Sequence, residues 1–509
     1  MKKQVFNPFL PLDEYIPDGE PHIFGDRVYL YGSHDFEGGE TFCMGDYIVY
    51  SAPLDDLSDW RCEGVIYRAE QDPDYPERRY MYAPDVVQGN DGRFYLYYCM
   101  SGPCGFGGYF GPISVAVCDT PAGKYEYIGC VHYPDGTPMK KYVCFDPGVI
   151  NDNGTIRVYY GTQYMDESND VLEKDDEKMA DVMKRYNKSR EEILETADNV
   201  NGACMVVLED DMLTVRGEPC HIIPYETKGT SFEDHAFFEA SSMRKIGDMY
   251  YFVYSSQLNH ELCYATSRYP DRDFTFGGTI VSNGDVGFNG RAEADRLNMT
   301  GTTHGSIIEI NGQWYVFYHR LTHKSDYSRQ ACAEKIDIAQ DGSISQVEIT
   351  SCGLNDGPLK GKGQYPAVIA CNITNGHMPH GANKIYSESF PNVNHGCYYT
   401  IDKSLQKEDR AFKTTERYID EICDGTLIGF KYFELKDVKR IGVTCKGEGR
   451  GIIKIRTSEC GGDCGIIEVS PSDEWKDAFA EVSLENGVYP LFFIYEGEGN
   501  ISLENIIID

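Results

Sequence analysis

Five ionisable side chains stand at one place relative to five copies of a short phrase. Asp18, Asp85, Asp146, Glu239 and His304 lie six to eight residues ahead of Gly25-Asp-Arg-Val-Tyr-Leu-Tyr-Gly-Ser33, Asp91-Gly-Arg-Phe-Tyr-Leu-Tyr-Tyr-Cys99, Asn153-Gly-Thr-Ile-Arg-Val-Tyr-Tyr-Gly161, Gly247-Asp-Met-Tyr-Tyr-Phe-Val-Tyr-Ser255 and Asn311-Gly-Gln-Trp-Tyr-Val-Phe-Tyr-His319. A single Asp or Glu near a turn is ordinary, but five in register point to a shared site. Carboxylates gathered at one place raise one another's pKa, which is useful where an acid must hold its proton at neutral pH. Hydrolysis of a glycosidic bond with inversion needs such a set. One carboxylic acid protonates the leaving oxygen, and one carboxylate about 6.5 to 9.5 Å away activates water on the opposite face. A third beside the acid keeps its pKa up and orients it.

The elements that must position these groups follow from the phrase itself, a tight Gly/Asn/Asp turn running into an aromatic strand. The copies begin 66, 62, 94 and 64 residues apart, a period that suits four-stranded sheets with long loops. The expected fold is all-β: a five-bladed β-propeller over residues 1–360, with the first strand of each blade lining the channel and the five ionisable positions meeting at one mouth. The long interval holds residues 166–199, rich in Glu, Lys, Met and Leu and free of Gly and Pro. They predict one or two helices inserted between blades three and four, either beside the pocket or as a solvated decoration. Residues 361–383 are turn-rich and read as a linker. Residues 384–509 resume evenly spaced short strands without the phrase and predict a β-sandwich.

Composition narrows the partners. A formal charge of −34 over 509 residues, with no basic run, repels phosphate backbones and anionic lipid, so neither nucleic acid nor membrane is expected. No stretch approaches 18 consecutive apolar residues. Met1-Lys-Lys-Gln-Val-Phe-Asn-Pro has no apolar segment after its lysines, and the 18 cysteines are scattered without a framework of spacings. The expectation is a cytoplasmic protein with reduced thiols. The 38 Tyr against 3 Trp reflect strand propensity in part; the rest fits rings that stack on sugars.

Several segments together resemble glycoside hydrolase family 43: Asn7-Pro-Phe-Leu-Pro, Pro17-Asp-Gly-Glu-Pro-His-Ile-Phe24, Tyr82-Ala-Pro-Asp85, Phe145-Asp-Pro-Gly-Val-Ile-Asn-Asp-Asn-Gly154, Phe238-Glu-Ala-Ser-Ser242 and Thr303-His-Gly-Ser-Ile307. The resemblance implies a five-bladed propeller that inverts the anomeric centre and acts on pentose-containing oligosaccharides, releasing L-arabinofuranose or D-xylose. It makes Asp18 the general base, Asp146 the modulator of the acid and Glu239 the general acid. It also implies sugar contact by Arg329, with Arg320 and Arg291 as structural competitors, and by Tyr82, which stands where the family commonly has Trp. Asp85 resembles a substrate-side segment, so it serves pocket structure or sugar binding. His304 resembles a histidine that binds calcium at the propeller centre directly or through water; the alternative is a histidine satisfied within the channel. The C-terminal region is similar to family 6 carbohydrate-binding modules, chiefly in Trp475-Lys-Asp-Ala-Phe479 and Val488-Tyr-Pro-Leu-Phe-Phe-Ile-Tyr495. The expected activity is exo-acting α-L-arabinofuranosidase on arabinoxylan fragments, with β-D-xylosidase as the alternative and a glycan-binding lectin as the non-enzymatic one.

Overall fold

The computed structural model describes residues 3–102, 111–162, 172–186, 189–195, 202–224, 227–381, 383–395 and 416–509. Each copy of the phrase becomes the second strand of a blade. Blade 1 is β1 (Glu20–Phe24), β2 (Arg27–Tyr31), β3 (Tyr47–Pro53) and β4 (Arg61–Tyr67), and blade 2 is β5 (Tyr80–Gln88), β6 (Phe94–Ser101), β7 (Ser114–Cys118) and β8 (Glu126–Cys130). Blade 3 is β9 (Gly148–Asp152), β10 (Thr155–Tyr160), β11 (Ala203–Leu208) and β12 (Val215–Ile223), and blade 4 is β13 (Phe237–Ile246), β14 (Met249–Ser256), β15 (Glu261–Ser267) and β16 (Thr275–Ser282). Blade 5 has three described strands, β17 (Ser306–Ile310), β18 (Gln313–Leu321) and β19 (Arg329–Ile336). Within every blade the strands pair antiparallel in chain order.

Five hydrophobic cores lie between successive blades, and the fifth joins blade 5 to blade 1, so the ring is closed. Each blade is therefore packed on both faces, which is why the phrase runs aromatic and aliphatic together instead of alternating apolar with charged. The tyrosines belong to these cores: the largest fully buried side chains are all Tyr. Their hydroxyls are tied off internally, as in Tyr31 to the Pro121 carbonyl (2.8 Å), Tyr97 to the Met212 carbonyl (2.8 Å) and Tyr98 to Asp72 (2.6 Å). A buried ring with a bonded hydroxyl fills wide gaps between twisted sheets, so the Tyr excess is largely interior and not a sugar-stacking surface.

The N-terminal segment closes blade 5. Phe9 N–H donates to the Ala331 carbonyl (3.2 Å), while the buried Asn7 amide donates to the Ala333 carbonyl (2.8 Å) and Glu334 (2.9 Å) and accepts from Ala333 N–H (3.0 Å). Val5, Phe9 and Leu10 enter the core between blades 5 and 1.

Two six-stranded sheets form the C-terminal sandwich around one core. Its strands are β20 (Leu359–Lys360), β21 (Gly363–Pro366), β22 (Asn372–Thr374), β23 (Asn392–His395), β24 (Arg417–Ile422), β25 (Leu427–Leu435), β26 (Arg440–Gly447), β27 (Arg450–Arg456), β28 (Asp463–Val469), β29 (Ser472–Glu481), β30 (Gly487–Glu498) and β31 (Ile501–Ile508). One sheet runs β20-β25-β30-β27-β28 with β22 on β25; the other runs β23-β24-β31-β26-β29 with β21 on β31. Residues 361–383, expected as a bare linker, thus supply β21 and β22. Strands of three or four residues between Gly, Asn and Pro are too short to show alternation. At the contact between the domains Lys431 is buried against Asp285 (3.1 Å) and Glu348 (3.1 Å). Arg291 pairs with Glu459 there (2.8 Å), and Arg320 donates to the Ala370 and Cys371 carbonyls (3.3 and 3.2 Å), so both arginines serve the fold.

The insertion is helical where described, α1 (Asp176–Tyr186) and α2 (Arg190–Glu195). Residues 166–171, 187–188 and 196–199 of the expected segment lie outside the described residues. Leu172, Met179, Val182 and Ile193 bury themselves in an aromatic cluster with Phe42, Tyr82, Phe145 and Tyr327, so the helices sit against the propeller and are not solvated decoration.

Candidate active site

The inner strands begin with backbone that carries side chains toward the channel axis. Asp18 (φ 57°) precedes β1 and Asp146 (φ 45°) precedes β9, while Ala240 (φ 70°) follows Glu239 inside β13, where the register to β14 slips on both sides of Glu239. Left-handed backbone at non-glycine residues is costly and clusters at functional sites. Gly148 permits the approach of blades 3 and 4: a Cβ there would stand 2.3 Å from the Ser241 carbonyl oxygen. Asp146 accordingly reaches across and accepts the Ala240 N–H (3.1 Å).

Asp18, Asp146, His304 and Arg329 converge. Arg329 Nη1 donates to Asp18 Oδ1 at 2.7 Å, and His304 Nδ1 lies 3.6 Å from Asp146 Oδ2 and 3.9 Å from Asp18 Oδ1. Asp18 and Asp146 are each only 4% exposed, whereas Glu239 is half-buried. Two further groups complete the set. Asp35, fully buried, takes Arg329 Nε (2.8 Å) and Nη2 (3.1 Å) in a two-point pair. His319 donates through Nε2 to the Thr302 carbonyl (2.8 Å), which leaves Nδ1 to accept the Asp18 N–H (3.2 Å).

The surroundings set the carboxyls apart. Burial works to raise Asp18, but the Arg329 guanidinium, the largest opposing cause, outweighs it and holds Asp18 below the usual carboxylate range. Glu239 is pushed up to about 8, first by burial and then by the Asp18 charge. Asp146 is also raised, by burial, then by Glu239 and Asp18. Like charges this close share one proton. The Ala240 amide favours the ionised form of Asp146, but burial and the neighbouring charges outweigh it, so both carboxyls of the pair hold a proton more tightly than an ordinary carboxyl does. Burial pushes His304 down to about 4 and His319 to about 3, and both stay neutral. The result is a carboxylate able to take a proton from water and a carboxylic acid able to give one.

Tyr82 and Asp85 are placed differently. Tyr82 packs in the aromatic cluster against Phe145 (5.4 Å). Asp85 is buried in the channel wall, where Oδ1 accepts the Val86 amide (2.7 Å) and bonds His22 Nε2 (2.6 Å) and Oδ2 accepts the Val149 amide (2.7 Å), contacts that join blades 1, 2 and 3. Sequence reasoning missed Asp35, Phe42 and His319. One sign was available: four copies of the phrase close on the small residues Ser33, Cys99, Gly161 and Ser255, and the fifth closes on His319.

For a cation, the channel offers Glu20, His22 and Asp85, whose ligand atoms lie within 4.8 Å of one another. Glu20 Oε2 accepts from Arg244 (2.7 Å), while Oε1 is buried without a hydrogen-bond partner. Two carboxylates, one of them with an oxygen left unpaired, fit a hard divalent ion; His304 is not part of this group.

Comparison with known proteins gives the family to which this sequence is similar. The family model for glycosyl hydrolases family 43 matches residues 7–344. A xylosidase/arabinosidase of Thermoclostridium stercorarium is 43% identical over 513 residues, covering 99% of both chains. Another from Bacteroides ovatus is 31% identical over 329 residues, covering 61% of this chain and 87% of its own. Among solved structures, a family 43 enzyme of Xanthomonas citri complexed with xylose matches with a TM-score of 0.51 at 25% identity, over 68% of this chain and 93% of its own.

Proposed function

The chain belongs to glycosyl hydrolase family 43, and on that premise we propose an inverting, exo-acting glycosidase that removes terminal α-L-arabinofuranosyl residues from arabinoxylan-derived oligosaccharides, with β-D-xylosides as the second substrate class. The observation that carries the reading is the split between two carboxyls at one mouth: Asp18 held as the anion by Arg329, Glu239 held as the acid. In this reading Asp18 draws a proton from water as the water attacks the anomeric carbon, and Glu239 gives its proton to the departing oxygen. Asp146, oriented by the Ala240 amide, keeps that proton on Glu239. Arg329 has a second N–H on Nη1 for a sugar hydroxyl. The depth of Asp18 and Asp146 supports attack on a terminal sugar, since an internal residue of a polymer needs an open groove.

The relatives named xylosidase/arabinosidase support both pentoses. The test is parallel hydrolysis of p-nitrophenyl α-L-arabinofuranoside and β-D-xyloside, with proton NMR of the first-formed sugar. A larger kcat/KM on the arabinoside and initial appearance of the inverted anomer are expected; the retained anomer first would defeat Asp18 as a base.

A divalent ion such as calcium, where bound, would be held by Glu20, His22 and Asp85 and would supply positive charge beneath the carboxylate-dense mouth. Elemental analysis of the purified protein against Glu20→Gln checks this, and equal metal content in the two rejects it. The described cysteines are all free thiols, which supports a reducing compartment such as the cytoplasm; unchanged activity and mass after exposure to reductant is the expected result. Among the described residues no helix is long and apolar enough to cross a membrane.

A further inference from the structure

Arg329 is held in its own plane by Asp35 and Asp18, and across its face by Phe42, whose ring centroid lies 4.6 Å from the guanidinium carbon. Phe42 in turn stands edge-on to Tyr327 (4.9 Å, 84°). Asp35 also accepts the Cys43 amide (2.9 Å), so one carboxylate fixes both the guanidinium and the backbone beside Phe42. The buried cluster that holds Phe42 also contains Leu172, Met179, Val182 and Ile193 of the helical insertion. The insertion thus shares one buried cluster with the ring that covers Arg329.

We propose that the helical insertion is a positioning element for the catalytic base. Its apolar side backs Phe42, Phe42 fixes the plane of Arg329, and Arg329 places its charge on Asp18. A flat cation pressed on a ring and pinned at two edges loses its freedom to rotate, and a guanidinium that stays in the plane of Asp18 keeps the carboxylate aimed. Withdrawing the helices leaves the ring unsupported and lets the cation turn toward Asp35 alone. The inference rests on the reading of Asp18 as the base, but the cradle itself is observable without catalysis.

The experiment uses the full chain labelled with 15N-arginine, with the Arg329 Nε–H resonance assigned by its loss in Arg329→Lys. Hydrogen exchange of that proton is compared in wild type, Phe42→Leu and Met179→Ala, alongside kcat, KM and Tm. Exchange about tenfold faster in both variants is expected, with kcat down about tenfold and KM within about twofold. A lower Tm with unchanged exchange in both variants overturns the proposal, because the helices would then only pack. Faster exchange with unchanged kcat leaves the cradle standing and sinks the reading of Asp18 as the base instead.

Discussion

Asp146→Asn separates charge from shape at the acid. The amide keeps the volume and still accepts the Ala240 N–H, so what is lost is one negative charge beside Glu239. In the wild type Glu239 is raised from 4.5 to about 8, which places the alkaline limb of kcat/KM near that pH. Two charges about 5 Å apart at an effective dielectric of about 20 repel by about 3 kcal/mol, or about two pKa units. Burial and the Asp18 charge, the two causes that raise Glu239, survive the substitution, so only the part due to Asp146 is lost. The limb should therefore move to lower pH by about one to two units. At pH 7.5 the variant should lose about three- to 25-fold in kcat/KM, while at pH 5.5, where the acid is mostly protonated in either protein, it should stay within about twofold. The assay is a pH–rate profile on a natural arabinoside, with folding checked at each pH by circular dichroism. A limb that stays put while the rate falls uniformly refutes the electrostatic role and leaves Asp146 orienting the acid or the sugar.

Glu239→Gln should cost about 10² to 10⁴ in kcat on natural glycosides but far less on a substrate with a strongly acidic leaving group, which departs without a proton; equal losses on both would remove Glu239 from the acid role. Asn7→Ala strips buried partners from Ala333, Glu334 and the Thr350 carbonyl, so stability should drop by about 2 to 4 kcal/mol, read by denaturant unfolding. A change below about 0.5 kcal/mol would show that the N-terminal segment does not close the ring.

The ring and its mouth were legible because one phrase recurs and the position ahead of it stays ionisable, so the register carried Asp18, Asp146, Glu239 and His304 to one place. Register alone could not tell a carboxyl aimed into the mouth from one aimed along the channel. In β5 the pairing slips between Tyr82 and Asp85, and Asp85 ends on backbone amides. Asp35 and Phe42 come from the stretch between β2 and β3, where no period constrains them, and their partner Arg329 opens β19. A contact between such distant segments leaves no local pattern. The helical insertion showed in its composition, yet its purpose is written in what it packs against, which composition does not contain.

Blade 1 carries Asp18 and blade 5 carries Arg329, 311 residues later in the chain. During synthesis the carboxylate proposed as the base is thus made early and its cation late, and contacts so remote in sequence are slow to form. Blades stacked in an open arc hold every carboxyl of the site and lack the one charge that keeps Asp18 ready. On the proposed reading a nascent chain would be inert for that reason, and turnover would report a ring that has shut.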